Sequence, residues 1–308
     1  MTHSFLAKFG SALAILSISA GLIGCTRKEE PLGSADNPVK MFFVPSVDAK
    51  LIEEKSDLIK KFLEKDTGYS FKVSIPSSYV AVVEAFGTSR ADIASLNTFG
   101  YILANEKYGV QAKLVVIRFG SDTYQAQIIA KSTSKIGGIK DLAGKKFAYV
   151  DPASTSGYLL PAKLFKDNGV ELKETVFANK HDNVVTMVYQ GQVDAGATFY
   201  SPPEDGKIQD ARRLVKTQFP DVEDKVKIVQ LTESIPNDPI VFRKDLPEEM
   251  KEKVVASFLK YVETPEGKEV LHAMYGVTAF SRTTDTKYDG VRDMLKALGK
   301  SANDLVKK

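Results

Sequence analysis

Hydrophobic and polar positions change period repeatedly along this chain. Val39-Lys-Met-Phe-Phe-Val-Pro45 is a short apolar run of β-forming residues and predicts a buried strand. Over 49–65 the apolar residues Leu51, Ile52, Leu58, Ile59, Phe62 and Leu63 recur at helical spacing, and Gly68 supplies a stop. The alternation continues, with strands predicted over 71–75, 91–96 and 113–118 and helices over 79–89 and 99–108. An extended run over 124–131 suits a crossing between two halves. A second series follows, with strands over 147–150, 175–178, 194–199 and 225–230 and helices over 158–167, 183–190 and 208–216. Ile240-Val-Phe242 reads as a return segment, and helices are expected over 247–262, 265–274 and 286–298.

Strands alternating with helices predict right-handed βαβ units and an α/β class. Two such series joined by extended crossings predict two lobes, each a mixed, mostly parallel sheet flanked by helices. Lobe 1 is expected over 38–122 plus 239–308, and lobe 2 over 123–238. Ligands bind open parallel sheets at the carboxyl ends of strands, beside helix N-termini. Loops in such places hold Ser46, Ser78 and Tyr79, Asn97 and Thr98, Ser154 to Gly157, and Lys180 to Asn183.

The N-terminus departs from this pattern. His3 and Lys8 precede an apolar run over 9–23 that is too short for a membrane span and ends in Leu22-Ile-Gly-Cys25. It reads as a secretory leader over 1–24 with a bacterial lipobox. Cys25, the sole cysteine of the chain, is then the lipidated mature N-terminus, anchored outside the cytoplasm. Polar, irregular residues over 25–37 read as a flexible tether. With one cysteine no disulfide is available, so the body folds on its apolar core. Net charge is only +3, and Lys and Arg are interleaved with Asp and Glu, which argues against a nucleic-acid partner.

The strongest local signal is Asp151-Pro-Ala-Ser154-Thr155-Ser156-Gly157-Tyr158, between a predicted strand and a predicted helix. The first N–H groups of a helix lack intrahelical partners and sit at its positive end. Three hydroxyls beside them can wrap a tetrahedral oxyanion without a formal positive charge. One hydroxyl would suffice for an ordinary N-cap. His181 and Asp182 stand at a similar junction, where Asp182 or Asn183 also suits a helix cap. Tyr79, Tyr124 and Tyr200 carry hydroxyls within reach of a cleft, although each alone reads more readily as a packing aromatic, Tyr200 most of all. Catalytic patterns are scarce. Only three histidines occur, without metal-ligand spacing, and there is no G-x-S-x-G elbow, P-loop or G-x-G-x-x-G. A Ser156–His181 nucleophile pair lacks an identifiable orienting group, so an enzyme is not expected, nor a cofactor or metal.

Asp151-Pro-Ala-Ser-Thr-Ser-Gly-Tyr-Leu-Leu-Pro161 resembles the signature of the phosphonate, phosphite and phosphate-binding proteins of ABC importers. Ser78-Tyr79, Ala91-Asp-Ile-Ala94, His181-Asp182, Gly191-Gln-Val-Asp-Ala195 and Ile235-Pro-Asn-Asp-Pro-Ile240 fit in the same order. The resemblance implies a flytrap-like binding protein, monomeric, that hands a small phosphorus oxyanion to a permease and its ATPase. It implies an anion held by Ser154, Thr155 and Ser156, with Tyr79 and His181 facing it. Asn97, Thr98, Tyr124 and Gly157 complete the expected set, and Asp182 is the expected acceptor for a P–OH proton. The loop after Phe199 reads Tyr200-Ser-Pro-Pro and lacks the acids expected for an aminoalkylphosphonate. Phosphate, phosphite or methylphosphonate therefore fits better. The same fold serving thiamine phosphate, a sulfonate or a sensory role is the alternative.

Overall fold

The computed structural model describes residues 30–297. The leader, Cys25 and residues 298–308 lie outside them. Pro31 to Asn37 do not behave as a tether. Gly33 N–H donates to Asn37 O at 2.7 Å and Gly33 O accepts from Ser70 N–H at 2.7 Å. Leu32 packs on the apolar core, so the ordered body begins near Pro31.

Two sheets organise the body. The first is built from β1 (Val39–Phe43), β2 (Phe71–Ser74), β3 (Ile93–Ser95), β4 (Gln111–Ile117), β10 (Pro239–Phe242) and β11 (Ala279–Arg282), in the order β11-β4-β10-β3-β1-β2. The second is built from β5 (Thr123–Lys131), β6 (Lys146–Tyr149), β7 (Glu174–Phe177), β8 (Ala195–Tyr200) and β9 (Val226–Pro236), in the order β7-β6-β8-β5-β9. Both are mixed. Pairs β2–β1–β3 and β7–β6–β8 are parallel, as βαβ units require. The strands next to the crossings, β4, β5, β9 and β10, pair antiparallel, so the parallel share is smaller than the alternation predicts. The 124–131 run is thus no mere crossing. It is an interior strand of the second sheet, and its buried Ala126, Ile128, Ile129 and Ala130 explain its apolar character.

The helices follow their sequence signals. Helix α1 (Ala49–Thr67) starts where Asp48 Oδ1 accepts from Leu51 N–H at 3.1 Å. It ends at Gly68, whose φ of 74° closes it. Its Ile52, Ile59 and Leu63 face the core. Helices α2 (Tyr79–Gly87) and α3 (Thr98–Tyr108) follow β2 and β3. Helix α3 is buried over its first seven residues, which accounts for its weak periodicity. In the second lobe α4 (Leu160–Asp167) and α5 (His181–Gln190) flank the sheet. The 208–216 helix is replaced by a tighter 3₁₀ stretch, Ala211–Val215, and α6 (Val222–Lys225) is one short turn. Helices α7 (Glu248–Glu263), α8 (Pro265–Tyr275) and α9 (Asp289–Ala297) return to the first lobe side. Strand β11 carries too little apolar pattern, Ala-Phe-Ser-Arg, to announce itself.

Two short passages join the lobes, one after β4 and one between β9 and β10. Arg118 staples them together. Its Nη1 donates to Asn237 Oδ1 at 3.0 Å, its Nη2 pairs with Asp238 Oδ2 at 2.7 Å, and its Nε donates to Tyr275 O at 2.8 Å. Asn237 N–H donates to Asp122 O at 2.8 Å and its Nδ2 to Ser121 O at 2.9 Å.

Candidate functional site

The Ser-Thr-Ser segment forms neither a plain loop nor a plain helix start. Thr155–Leu159 is a single π turn, with Leu159 N–H on Ser154 O at 3.0 Å and Leu160 N–H on Thr155 O. Widened turns of this kind are rare and cluster at functional sites. Ser154 Oγ caps it by accepting from Gly157 N–H at 3.1 Å. Gly157 is required by packing. A Cβ there would sit 2.4 Å from Val150 Cγ2 and 2.8 Å from Ser154 Oγ. Asp151 steadies the approach, its Oδ1 accepting from Ala153 N–H at 2.8 Å and its Oδ2 from Tyr79 N–H at 3.4 Å. Burial raises the Asp151 pKa against those two bonds.

A cavity of about 50 Å³ lies against this turn, with room for a few waters' worth of atoms. Of the residues singled out in the sequence, Tyr79, Asn97, Tyr124, Ser154, Thr155, Ser156 and His181 line it. Three expected residues lie outside its lining. Thr98 donates its hydroxyl to Pro236 O at 2.7 Å and so ties α3 to the end of β9. Gly157 serves the packing of the turn. Asp182 is half-buried in the first turn of α5, with its pKa raised by burial, and the carboxylate that lines the cavity is Asp238. Neither Asp182 nor Asn183 is the N-cap of α5. That place belongs to Lys180, so the helix begins at His181 and aims its first side chain inward.

The lining residues divide into those already partnered and those waiting for a partner. Thr155 Oγ1 accepts from Phe99 N–H at 2.8 Å and from Asn97 Nδ2 at 3.0 Å, and Asn97 Nδ2 also reaches Ala153 O at 2.8 Å. Those bonds run between the lobes, as does His181 N–H to Ser46 O at 3.2 Å. Thr155 Oγ1 is thus an acceptor latch between the lobes, and its O–H remains able to donate. In contrast, Tyr79 Oη, His181 Nδ1, Arg213 Nε, Asp238 Oδ1 and the other end of the Asn97 amide, Oδ1, are buried with no hydrogen-bond partner. Tyr124 holds its hydroxyl beside those of Ser156 and Thr155. Burial pushes the Tyr79 and Tyr124 phenols well above their usual range, so both remain donors. Burial, then the nearby Arg118, depresses His181 to about 3, so the imidazole is neutral at pH 7.

Sequence reasoning missed the charged part of the wall. Arg118, Arg213, Asp238 and Tyr275 line the cavity from four separate segments. Asp238 lies inside the Ile235-Pro-Asn-Asp-Pro-Ile240 segment, and Arg118 closes a predicted strand, but neither carries a local chemical pattern. Among the described residues no group of three or more His, Cys, Asp or Glu could hold a metal ion, and no helix is long and apolar enough to cross a membrane.

The family model described as "ABC transporter, phosphonate, periplasmic substrate-binding protein" matches residues 41–288. The chain belongs to this family. It is 27% identical over 210 residues to the phosphate-import protein PhnD of Mycolicibacterium smegmatis, covering 62% of this chain and 65% of that protein. It is 28% identical over 241 residues to the phosphonates-binding periplasmic protein of Escherichia coli, covering 75% of this chain and 68% of that protein. The matches thus span about two thirds of the length of these relatives. PhnD1 from Prochlorococcus marinus, solved with methylphosphonate, superposes with a TM-score of 0.73 at 20% identity. That pair covers 85% of this chain and 98% of PhnD1, which shows the shared two-lobed fold.

Proposed function

We propose that this member of the family captures a small phosphorus oxyanion, a phosphonate, phosphite or phosphate, in the cavity between its lobes. It then hands the oxyanion to an ABC permease and its ATPase. The protein is a monomer held at the outer face of a membrane by lipid on Cys25. Lobe 1 (38–122 with 239–308) and lobe 2 (123–238) close on the ligand about the Arg118 staple.

The observation that carries this reading is the pair of buried, partnerless atoms Tyr79 Oη and His181 Nδ1, beside the Ser154–Ser156 turn. Buried polar atoms in native proteins are almost always paired, so a ligand supplies the missing partner. A neutral histidine, two phenols and the Ser156 hydroxyl give donors from several directions. Hydrogen bonds to an anion contribute about 1.5–3 kcal/mol each. A handful offsets immobilisation and reaches micromolar affinity, about −8 kcal/mol. The proton-acceptor role passes from Asp182 to Asp238, whose free Oδ1 would take the proton of a P–OH. Sulfate has no such proton at neutral pH and meets a bare carboxylate instead.

Thermal shift and calorimetry with phosphate, phosphite, methylphosphonate and sulfate test the reading. At least one phosphorus anion is expected to stabilise the protein, sulfate not, and Ser156→Ala to weaken the effect. Equal binding of sulfate, or no response to any phosphorus anion, overturns it.

A further inference from the structure

Besides its phenols, four charged or ionisable side chains line the cavity, namely Arg118, Arg213, Asp238 and His181. Burial keeps His181 neutral. Asp238 is the only carboxylate among them, and its Oδ2 is committed to Arg118 at 2.7 Å. That leaves Arg213, on the 3₁₀ stretch between β8 and β9. Its Nε is buried without a partner, and no described carboxylate pairs with its guanidinium. Asp210 acts favourably on the Arg213 charge from outside the cavity, but it is held by Arg212 at 2.8 Å and by Gln127 Nε2 at 3.2 Å.

A structural purpose for Arg213 would be to cap the C-terminus of α8, where Gly276 leaves its guanidinium room. Two of its terminal carbonyls already have other donors. Arg118 Nε takes Tyr275 O, and Gly276 N–H takes His272 O. The guanidinium also lies close enough to Arg118 to feel its repulsion. Two cations and one carboxylate line the cavity, so its wall carries a net positive charge that Asp210 offsets only in part from outside it. Arg213 is partly buried, with its Nε sealed from solvent and no carboxylate paired to it, so an anionic group in the cavity would compensate it.

We propose that Arg213 sets the charge of the cargo, so that the cavity takes phosphonates whose tail is anionic, such as a carboxylate, and rejects those whose tail is a cation. This rests on the reading of the cavity as a phosphorus-oxyanion site. An ammonium tail would face two guanidiniums and one carboxylate already engaged by one of them. A carboxylate tail would meet a planar fork of matching geometry, which Arg presents and a lone point charge does not.

The test is calorimetry on the full-length protein with methylphosphonate, phosphonoacetate and 2-aminoethylphosphonate. The two tailed compounds are close in size and differ chiefly in tail charge, so general damage to the site cancels in their affinity ratio. Phosphonoacetate is expected to bind at least about 100-fold more tightly than 2-aminoethylphosphonate, the scale of one charge-assisted hydrogen bond set against one repulsion. Arg213→Met is expected to cut that ratio about tenfold or more, and Arg213→Lys to keep most of it. Equal affinities overturn the proposal. So does a ratio unchanged in Arg213→Met, or binding of methylphosphonate with neither tailed compound. Binding of none of the three overturns this proposal, and the phosphorus-oxyanion reading falls with it only if phosphate and phosphite also fail to bind.

Discussion

Replacing Thr155 by valine, in a cycle with Asn97, tests the latch. The two side chains are nearly isosteric, so the turn keeps its shape while the acceptor vanishes. In the closed form Thr155 Oγ1 serves two donors, Phe99 N–H at 2.8 Å and Asn97 Nδ2 at 3.0 Å. Asn97 keeps Ala153 O at 2.8 Å, so only the Phe99 N–H is orphaned. Phe99 is fully buried, and a buried donor without a partner costs about 1–3 kcal/mol. When the lobes part, water satisfies that N–H, so the penalty falls on the closed state alone. Affinity for methylphosphonate should drop about 5- to 150-fold, at 1.4 kcal/mol per factor of ten. The melting temperature without ligand should move little. Calorimetric titration of the wild type, Thr155→Val, Asn97→Ala and the double variant measures the coupling directly. A coupling energy of about 0.5–1.5 kcal/mol is expected, with affinity restored by Thr155→Ser. An affinity for Thr155→Val within twofold of wild type, or zero coupling, would refute the latch.

Tyr79→Phe removes a buried hydroxyl that has no protein partner, so ligand-free stability should hold or rise while affinity falls about 10- to 150-fold, read by melting and titration side by side. His181 titrates near 3 when folded against an ordinary value of 6.5, so its unfolded form binds the proton first. Its contribution to stability is therefore present above pH 6.5 and lost as pH falls from there toward 3. Melting curves over that range should flatten in His181→Gln, and an unchanged slope would exclude the buried neutral imidazole. Gly157→Ala should destabilise by about 1–3 kcal/mol through its collision with Val150, and a Val150→Ala partner change should recover part of the loss in chemical denaturation.

The parts of the site legible in the sequence were those whose chemistry is local. Ser154, Thr155 and Ser156 stand together beside a glycine, and His181 opens a helix after a strand, so pattern and chemistry coincide within a few residues. Their individual tasks were not legible, because Thr155 is occupied by Phe99 and Asn97, which lie more than fifty residues away in the chain. The charged wall was invisible for the same reason. Arg118, Arg213 and Asp238 meet only once the two sheets fold, and each alone reads as an ordinary surface charge. The fold class followed from strand and helix alternation. Strand direction near the crossings did not, since a run such as 124–131 has the same composition whether it crosses between sheets or pairs antiparallel inside one.

The π turn at Thr155–Leu159 adjusts the phase of the segment that follows it. An α-helix turns about 100° per residue, so a change of one residue rotates everything downstream by that amount. Helix α4 must point Leu160, Pro161 and Phe165 into the core, while Ser154 to Ser156 must face the cavity. A regular helix running through both stretches has one phase and cannot satisfy both demands at once. The extra residue in the wide turn decouples them, so that the loop answers to its ligand and the helix to its lobe. The length of this stretch is then under tighter constraint than its composition.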